Sequence, residues 1–328
     1  MKTKFHYNPN LSFVKDNVEG NILKGKQYHF NEQNTKPEYK KILKWVTSKN
    51  PQRKEKRNDK FTPDVIYHNN FLHTTNDTIT WLGHSSFFIH INGLKILTDP
   101  VFHDITPFLR RKHKAPCAIT EFNNIDIILL SHGHRDHLDL PTLKKLAKQN
   151  NKTQILCPLG FESILNKAGF ANIQEAAWWQ QYNIPHLEIV FLPAKHWNRR
   201  FINDFNTTLW GSFSIKSPTS SIYFAGDTGY SNHFKEINQQ FNGFDYCLLP
   251  IGAYKPRYIM EWAHVSPEEA VRAFQEINGK TFIPMHYGTF DLSDEPASEP
   301  LQLLNKFHSI SNSNGRICVL KVGEILKM

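Results

Sequence analysis

From residue 78 onward, short apolar runs closed by turn residues alternate with longer amphipathic stretches. The runs at 80–90, 94–98, 125–131, 154–158, 188–193, 211–217, 221–225, 246–251 and 317–321 are rich in β-branched and aromatic residues and predict strands. Helical spacing predicts helices over 140–148, 161–168, 233–241 and 266–277. Pro141 and Pro267 lie near the start of their helices, and Gly169 and Gly279 just beyond the end of theirs. Strand groups interleaved with single helices predict two packed sheets with helices outside, a four-layer αββα sandwich of the α/β class. No repeat at a solenoid period is visible.

Residues 1–75 have a different texture. They are polar and rich in Lys and Asn, with one helical pattern at 37–48 whose Tyr39, Ile42, Leu43 and Trp45 are expected to dock on a larger body. The expected division is a basic N-terminal arm, 1–75, packing on a catalytic domain, 76–328.

Charge sharpens that division. The chain of 328 residues carries a net charge of +9, from 39 Lys and Arg against 30 Asp and Glu. Residues 1–60 hold 15 basic and 6 acidic side chains, so the remainder holds 24 of each and is neutral. A basic arm on a neutral body suits an anionic membrane surface or nucleic acid, or is simply a solvated face. The 4 cysteines are widely spaced with no Cys-x-x-Cys, which fits a reducing compartment. No apolar run approaches the roughly 18 residues that span a bilayer, and no secretory h-region opens the chain. The expected location is cytoplasmic or peripheral to a membrane.

The chemistry concentrates directly after the apolar run at 125–130, in Ser131-His132-Gly133-His134-Arg135-Asp136-His137-Leu138-Asp139. His132 and His134 alternate along extended backbone and so point the same way, while Asp136 and His137 come from the turn that follows. Four N/O donors within six residues are a metal-binding pattern. Three more candidates end other strands: His196 after 189–193, Asp227 after 222–226, and His286 after 281–285. Five His and two Asp supply enough N/O ligands for two borderline cations with positions left open for water.

The set His132-x-His134-x-Asp136-His137, His196, Asp227 and His286 resembles the binuclear metallo-β-lactamase superfamily. More narrowly, the chain resembles the group of N-acyl-phosphatidylethanolamine-hydrolysing phospholipases D. That likeness rests on Trp81-Leu82-Gly83-His84, Leu97-Thr98-Asp99-Pro100, Trp210-Gly211-Ser212, Phe224-Ala225-Gly226-Asp227-Thr228-Gly229-Tyr230, Pro250-Ile251-Gly252-Ala253-Tyr254, Pro256-Arg257, His264-Val265-x-Pro267 and His286-x-Gly288-Thr289-Phe290. It covers roughly residues 80–326. The resemblance implies one metal on His132, His134 and His196, another on Asp136, His137 and His286, Asp227 between them, and zinc as both metals. It also implies His264 beside the substrate phosphate, with Tyr254 and Arg257 expected as further substrate contacts. Asp99 and His84 are expected to orient the ligands from behind.

Two cations sharing a water make hydroxide available near neutral pH. The reaction expected is phosphodiester hydrolysis of N-acyl-phosphatidylethanolamine to N-acylethanolamine and phosphatidic acid, with Asp136, Asp227 and His264 as the catalytic side chains. A bridging Asp227 argues against true β-lactamase action. Trp178, Trp179, Trp197, Tyr254, Tyr258 and Trp262 are candidates for an acyl groove. Arg135, Lys195 and Lys255 depart from the family pattern and bear on headgroup preference. A metal-dependent nuclease, which would use the run Arg110-Arg111-Lys112-His113-Lys114, and a small phosphodiester or lactone hydrolase are the alternatives within the class. Nucleic acid is disfavoured by the absence of an RNA-recognition signature. A non-catalytic, metal-stabilised binding protein is the alternative outside the class. Oligomeric state is not readable from the chain.

Overall fold

The computed structural model describes residues 3–30, 39–311 and 315–328. The chain opens with a small antiparallel sheet of β1 (Thr3–His6), β2 (Asn21–Lys24) and β3 (Gln27–Tyr28), followed by α1 (Tyr39–Thr47) and α2 (Arg53–Asn58). These three strands escaped prediction because two to four mostly polar residues carry no readable alternation. The helix expected over 37–48 is α1; its expected start at Pro37 lies outside the described residues.

A seven-stranded sheet begins with β4 (Thr78–Gly83), β5 (Ser86–Ile91), β6 (Leu94–Thr98) and β7 (Ile127–Leu129). It continues through α3 (Leu140–Gln149), β8 (Gln154–Pro158), α4 (Glu162–Ala168) and β9 (Asn172–Ala176). The second sheet has six strands: β10 (Glu188–Leu192), β11 (Ser212–Lys216), β12 (Ser221–Phe224), β13 (Phe244–Pro250), β14 (Gly279–Met285) and β15 (Arg316–Ile317). Between these strands run α5 (His233–Phe241), α6 (Arg257–Met260), α7 (Pro267–Glu276) and α8 (Glu299–Ile310). A last strand, β16 (Ile325–Lys327), returns to pair antiparallel with β4. The order of the first sheet is β16-β4-β5-β6-β7-β8-β9, and the second runs from β10 to β15 in sequence.

Two of the expected strands differ, and α2, β9, α6, α8 and β16 match no element expected from the sequence. The run 80–90 is not one strand but β4 and β5, because Gly83 and His84 both adopt positive φ, 103° and 54°, and reverse the chain. At the C-terminal end, only Arg316–Ile317 joins the second sheet where 317–321 was expected. The four other expected helices, α3, α4, α5 and α7, follow their signals closely: Ser266 caps α7 in a reciprocal box with Glu269, and Gly169 ends α4 at φ 106°.

Alternation along the strands sorts their side chains into two cores. Ile127 and Leu129 of β7 face the second sheet, as do Trp81, Phe87, Ile89, Ile96 and Leu156. Ile128 and Leu130 face the other way, with Leu97, Ile155 and Cys157, onto Leu143 and Leu146 of α3 and Leu165 of α4. Helices therefore cover the outer face of the first sheet, and α5 and α7 pack on the second through Phe234, Ile237, Val271 and Phe274. This is the expected αββα sandwich.

The topology also collects functional side chains. In the first sheet β6 to β9 are parallel, and β4 runs with them because β5 reverses between. In the second, β12 to β15 are parallel and β10 runs with them for the same reason. The carboxyl ends of β4, β6, β7, β10, β12 and β14 carry His84, Asp99, His132–His137, His196, Asp227 and His286, at the edge where parallel sheets place their ligands.

The N-terminal segment lies on this body. The Gln180 side chain accepts from Asn8 N–H and donates to Leu11 carbonyl oxygen, and Val14 N–H donates to Trp179 carbonyl oxygen at 2.9 Å. Further along, Asp59 accepts from both the N–H and the hydroxyl of Ser298, each at 2.7 Å.

Candidate metal centre

Three of the candidate ligand imidazoles, those of His132, His137 and His196, are oriented by what the ring holds on its other side. Asp99, fully buried, accepts from Ser131 N–H at 2.7 Å, from Ser131 hydroxyl at 2.5 Å and from His137 Nδ1 at 2.7 Å. With its proton on Nδ1, His137 presents the Nε2 lone pair to the centre. The Ser131 hydroxyl in turn accepts from His132 Nδ1 at 2.9 Å, and the Ala263 carbonyl accepts from His196 Nδ1 at 3.0 Å. All three imidazoles thus aim Nε2 inward. His134 uses Nδ1, which lies 2.9 Å from His132 Nε2 and 3.2 Å from His196 Nε2, so three donor nitrogens converge on one point.

A second group forms beside it. Asp136 Oδ2 lies 3.6 Å from His137 Nε2, 3.6 Å from His286 Nε2 and 3.1 Å from His84 Nε2. Asp227 Oδ2 stands between the groups, 3.1 Å from His286 Nε2, 3.3 Å from His137 Nε2, 3.9 Å from His196 Nε2 and 4.0 Å from His132 Nε2. Its turn is brought there by Gly226 at φ 56°, where a Cβ would stand 2.7 Å from that of Ser131. His84, Asp99 and His286 also have positive φ, 54°, 32° and 61°, a concentration of strained backbone typical of functional sites.

The electrostatics fit cations. Burial, then neighbouring imidazoles, hold His132 well below the ordinary histidine range, and burial does the same for His196. Burial likewise lowers His134 to about 4, with Asp136 and Asp227 opposing. Burial opposes ionisation of Asp227, yet His137 and His286 outweigh it and keep the carboxylate well below its usual value. Reciprocally, Asp227 and Asp136 overcome burial and raise His286 to about 9 and His137 well above its usual range. Carboxylates that draw protons onto two buried imidazoles draw a divalent cation by the same field. Among the buried atoms without a hydrogen-bond partner, His137 Nε2 and His286 Nε2 face the centre. An orphaned donor set of this kind is costly unless a metal completes it. The residues fit a metal site.

The neighbouring positions divide. His264 Nδ1 is buried, unpartnered and 3.8 Å from Asp227 Oδ2, and His264 borders the adjoining cavity. His84, expected only to orient, comes within ligand reach of Asp136, His137 and His286, and its ring centroid is 4.1 Å from that of His286. Tyr254 and Arg257 stand elsewhere than expected. The buried Tyr254 hydroxyl bonds Glu299, Arg257 forks onto both oxygens of Glu269 at 2.9 and 2.7 Å, and neither borders the cavity. Both are held by partners in the scaffold.

The cavity opening onto the metal-binding residues has a volume of about 1040 Å³. Trp197, Tyr258 and Trp262 line it as expected, whereas Trp178, Trp179 and Tyr254 do not. Arg135, Lys195 and Arg200 supply positive charge at its border. In the basic run 110–114, Arg111 is directed inward, and its guanidinium donates to the carbonyls of Val101, His113 and Leu82.

Sequence reasoning missed the loop clamp. Asn198 Oδ1 accepts from Gly133 N–H at 2.7 Å, and Arg200 Nη1 donates to the carbonyls of Leu138 at 2.7 Å and Gly133 at 3.3 Å. The segment after His196 therefore holds both ends of the loop that carries His134, Asp136 and His137. A polar pair two residues apart carries no motif that would reveal this.

This fold and donor set define a class: the chain belongs to the β-lactamase superfamily, with a match to the Beta-lactamase superfamily domain over residues 95–287, and has the metallo-β-lactamase fold of metal-dependent hydrolases. Within that class it is 36% identical to an uncharacterized protein of Mycobacterium tuberculosis, over 69% of this chain and 62% of that one. It is also 36% identical to the mitochondrial N-acyl-phosphatidylethanolamine-hydrolyzing phospholipase D of Saccharomyces cerevisiae, over 69% of this chain and 50% of the yeast protein. The chain thus spans less than two thirds of the length of these relatives. Among solved structures, Igni18, a metallo hydrolase of Ignicoccus hospitalis, superposes with a TM-score of 0.59 at 21% identity, over 77% of this chain and 99% of that one. That likeness speaks to the fold.

Proposed function

We propose that this protein is a phosphodiesterase of phospholipase D type, cleaving N-acyl-phosphatidylethanolamine to N-acylethanolamine and phosphatidic acid with two zinc ions. The observation that carries it is the convergence of four imidazoles, those of His132, His137, His196 and His286, on Asp227 Oδ2 at the inner end of a cavity whose walls are largely apolar and whose border is basic. His132, His134 and His196 would hold one ion, Asp136, His137 and His286 the other, and Asp227 both. Bound there, two cations make hydroxide available at neutral pH and neutralise charge on a phosphate.

The protein's own residues supply the rest. Asp99 and the Ala263 carbonyl fix the imidazole tautomers, so ligand lone pairs are preorganised. Burial lowers His264 to about 4, so near neutral pH its ring is uncharged and able to share a hydrogen bond with a phosphate oxygen. Arg135 and Lys195 complement an anionic substrate, and Trp197, Tyr258 and Trp262 suit an apolar chain. Among the described residues no helix is long and apolar enough to cross a membrane. The basic surplus of residues 1–60 and the exposed Leu43 and Val46 support peripheral contact with an anionic lipid surface.

The test is a metal-supplemented assay offering N-acyl-phosphatidylethanolamine, bis-p-nitrophenyl phosphate and a short RNA, with products identified by mass. N-acylethanolamine with phosphatidic acid is the expected outcome. Cleavage of RNA or the small diester alone discards the lipid substrate and keeps the hydrolase.

A further inference from the structure

The cavity is not lined by the β-lactamase domain alone. Residues 1–94 lie outside the family match, yet Gln27 of β3 and Ile42 and Trp45 of α1 border the same space as His134, Asp227 and His264. On α1, Ile42 and Trp45 are three residues apart and half-buried, while Leu43 and Val46 point outward, 66% and 75% exposed. The helix packs against α6, where Lys44 Nζ lies 4.9 Å over the Tyr258 ring, and Tyr258, Ile259 and Met260 border the cavity too.

This wall is pinned in place. Trp45 Nε1 donates to Asp294 Oδ2 at 3.1 Å and Asn50 Nδ2 to the Asp294 carbonyl at 2.7 Å. Gln52 donates to Glu299 at 2.6 Å, and Lys56 pairs with Asp291 at 2.7 Å. The anchors run on through Asp59 and Ser298, so the strand of chain from 45 to 59 is tied along 291–299. None of these contacts involves a metal-binding residue. Their common effect is to hold an apolar helix face across a space that the metal-binding residues close from the other end.

We infer that α1 is a specificity-determining element, and that Ile42 and Trp45 form with α6 a wall receiving the apolar chain of a phosphodiester substrate. This rests on the phosphodiesterase reading above but not on the identity of its headgroup. A chain lying along such a wall gains with length, by at most about fourfold in kcat/KM for each methylene fully removed from water. Substitutions at Ile42 act on that gain, while one on the outward face does not.

The test uses the full chain and p-nitrophenyl alkyl phosphates from methyl to dodecyl, with metal content and thermal midpoint measured for every variant. The quantity read is the ratio of kcat/KM for dodecyl over methyl. In the wild type it exceeds one. Ile42→Trp, which fills the channel, lowers the ratio roughly tenfold or more, and Ile42→Ala lowers it roughly three- to tenfold by removing contact area. Thr47→Ala, at an exposed position of α1 that does not border the cavity, leaves it at the wild-type value. Should Ile42→Trp fail to fold, Ile42→Ala carries the comparison. A wild-type ratio near one, or equal ratios in wild type and the Ile42 variants, overturns the inference. If N-acyl-phosphatidylethanolamine resists hydrolysis while the alkyl series behaves as described, the lipid assignment falls and the wall stands.

Discussion

The inner end of the cavity and its outer wall are built by different means. The inner end comes from the carboxyl ends of six strands in two sheets; four buried imidazoles stand within 4.0 Å of one carboxylate oxygen, and three of these are oriented by hydrogen bonds from behind. The wall from α1 is one short helix outside the family match, half-buried and fastened by hydrogen bonds and ion pairs to 291–299. The inner end fixes the chemistry by preorganisation, since moving any one donor leaves the others charged or unsatisfied. On the inference drawn above, the wall leaves the chemistry alone and shapes what reaches it, and specificity changes through residues 39–60 without disturbing the candidate metal ligands.

The largest effect that would break this contrast lies at the inner end. Asp227→Ala and His134→Ala should abolish metal-stimulated turnover of any diester and lower the metal bound per chain. Near-native rates in either purified variant would refute the ligand assignment. One step back, Asp99→Asn should keep the fold but weaken metal binding or turnover by about 10- to 100-fold, because an amide nitrogen facing His137 Nδ1 disfavours the working tautomer. Metal titration checks it; an unchanged affinity and rate would detach Asp99 from the centre.

Next in size is the clamp. Arg200→Ala removes the donor shared by Gly133 and Leu138 carbonyls, with an expected stability loss of about 2 kcal/mol and weaker metal retention. Chelator-release kinetics would show this, and unaltered release would confine Arg200 to the surface. The smallest effect belongs to the wall. Asp59 has a lowered pKa: burial opposes ionisation, but the Ser298 and Phe61 hydrogen bonds outweigh it. Lys255 and Tyr254, among other partners, lower that of Glu299 in the same way against burial. Depressed carboxylates contribute stability that is present above their unfolded values, 3.8 and 4.5, and lost as pH falls through the folded ones. Hydrogen exchange in 39–60 should therefore rise below about pH 4.5, ahead of exchange in β7 and β12. Simultaneous loss would merge the two regions into one unit.

The legibility of the site followed the range of its contacts. The loop His132 to His137 declared itself because strand alternation and a following turn are local, and His196, Asp227 and His286 stood out as donors ending apolar runs. The surroundings of Tyr254 and Arg257 were hidden for a related reason: their motif is local, but their partners Glu299 and Glu269 lie 45 and 12 residues away. Leu43, expected to dock, faces solvent, while Ile42 and Trp45 turn toward the body; the side chain of Tyr39 lies outside the described residues.

By itself the sequence determined the period of each main strand and helix, the class of fold those periods allow, and the residue types able to bind a metal, since each depends on neighbours a few positions apart. Only the tertiary structure decided which nitrogen of each histidine faces the centre, that His84 reaches Asp136, that Arg200 clamps the ligand loop, and that α1 closes the cavity. Those facts depend on hydrogen bonds and packing between residues tens to hundreds of positions apart, whose pairing no local pattern encodes.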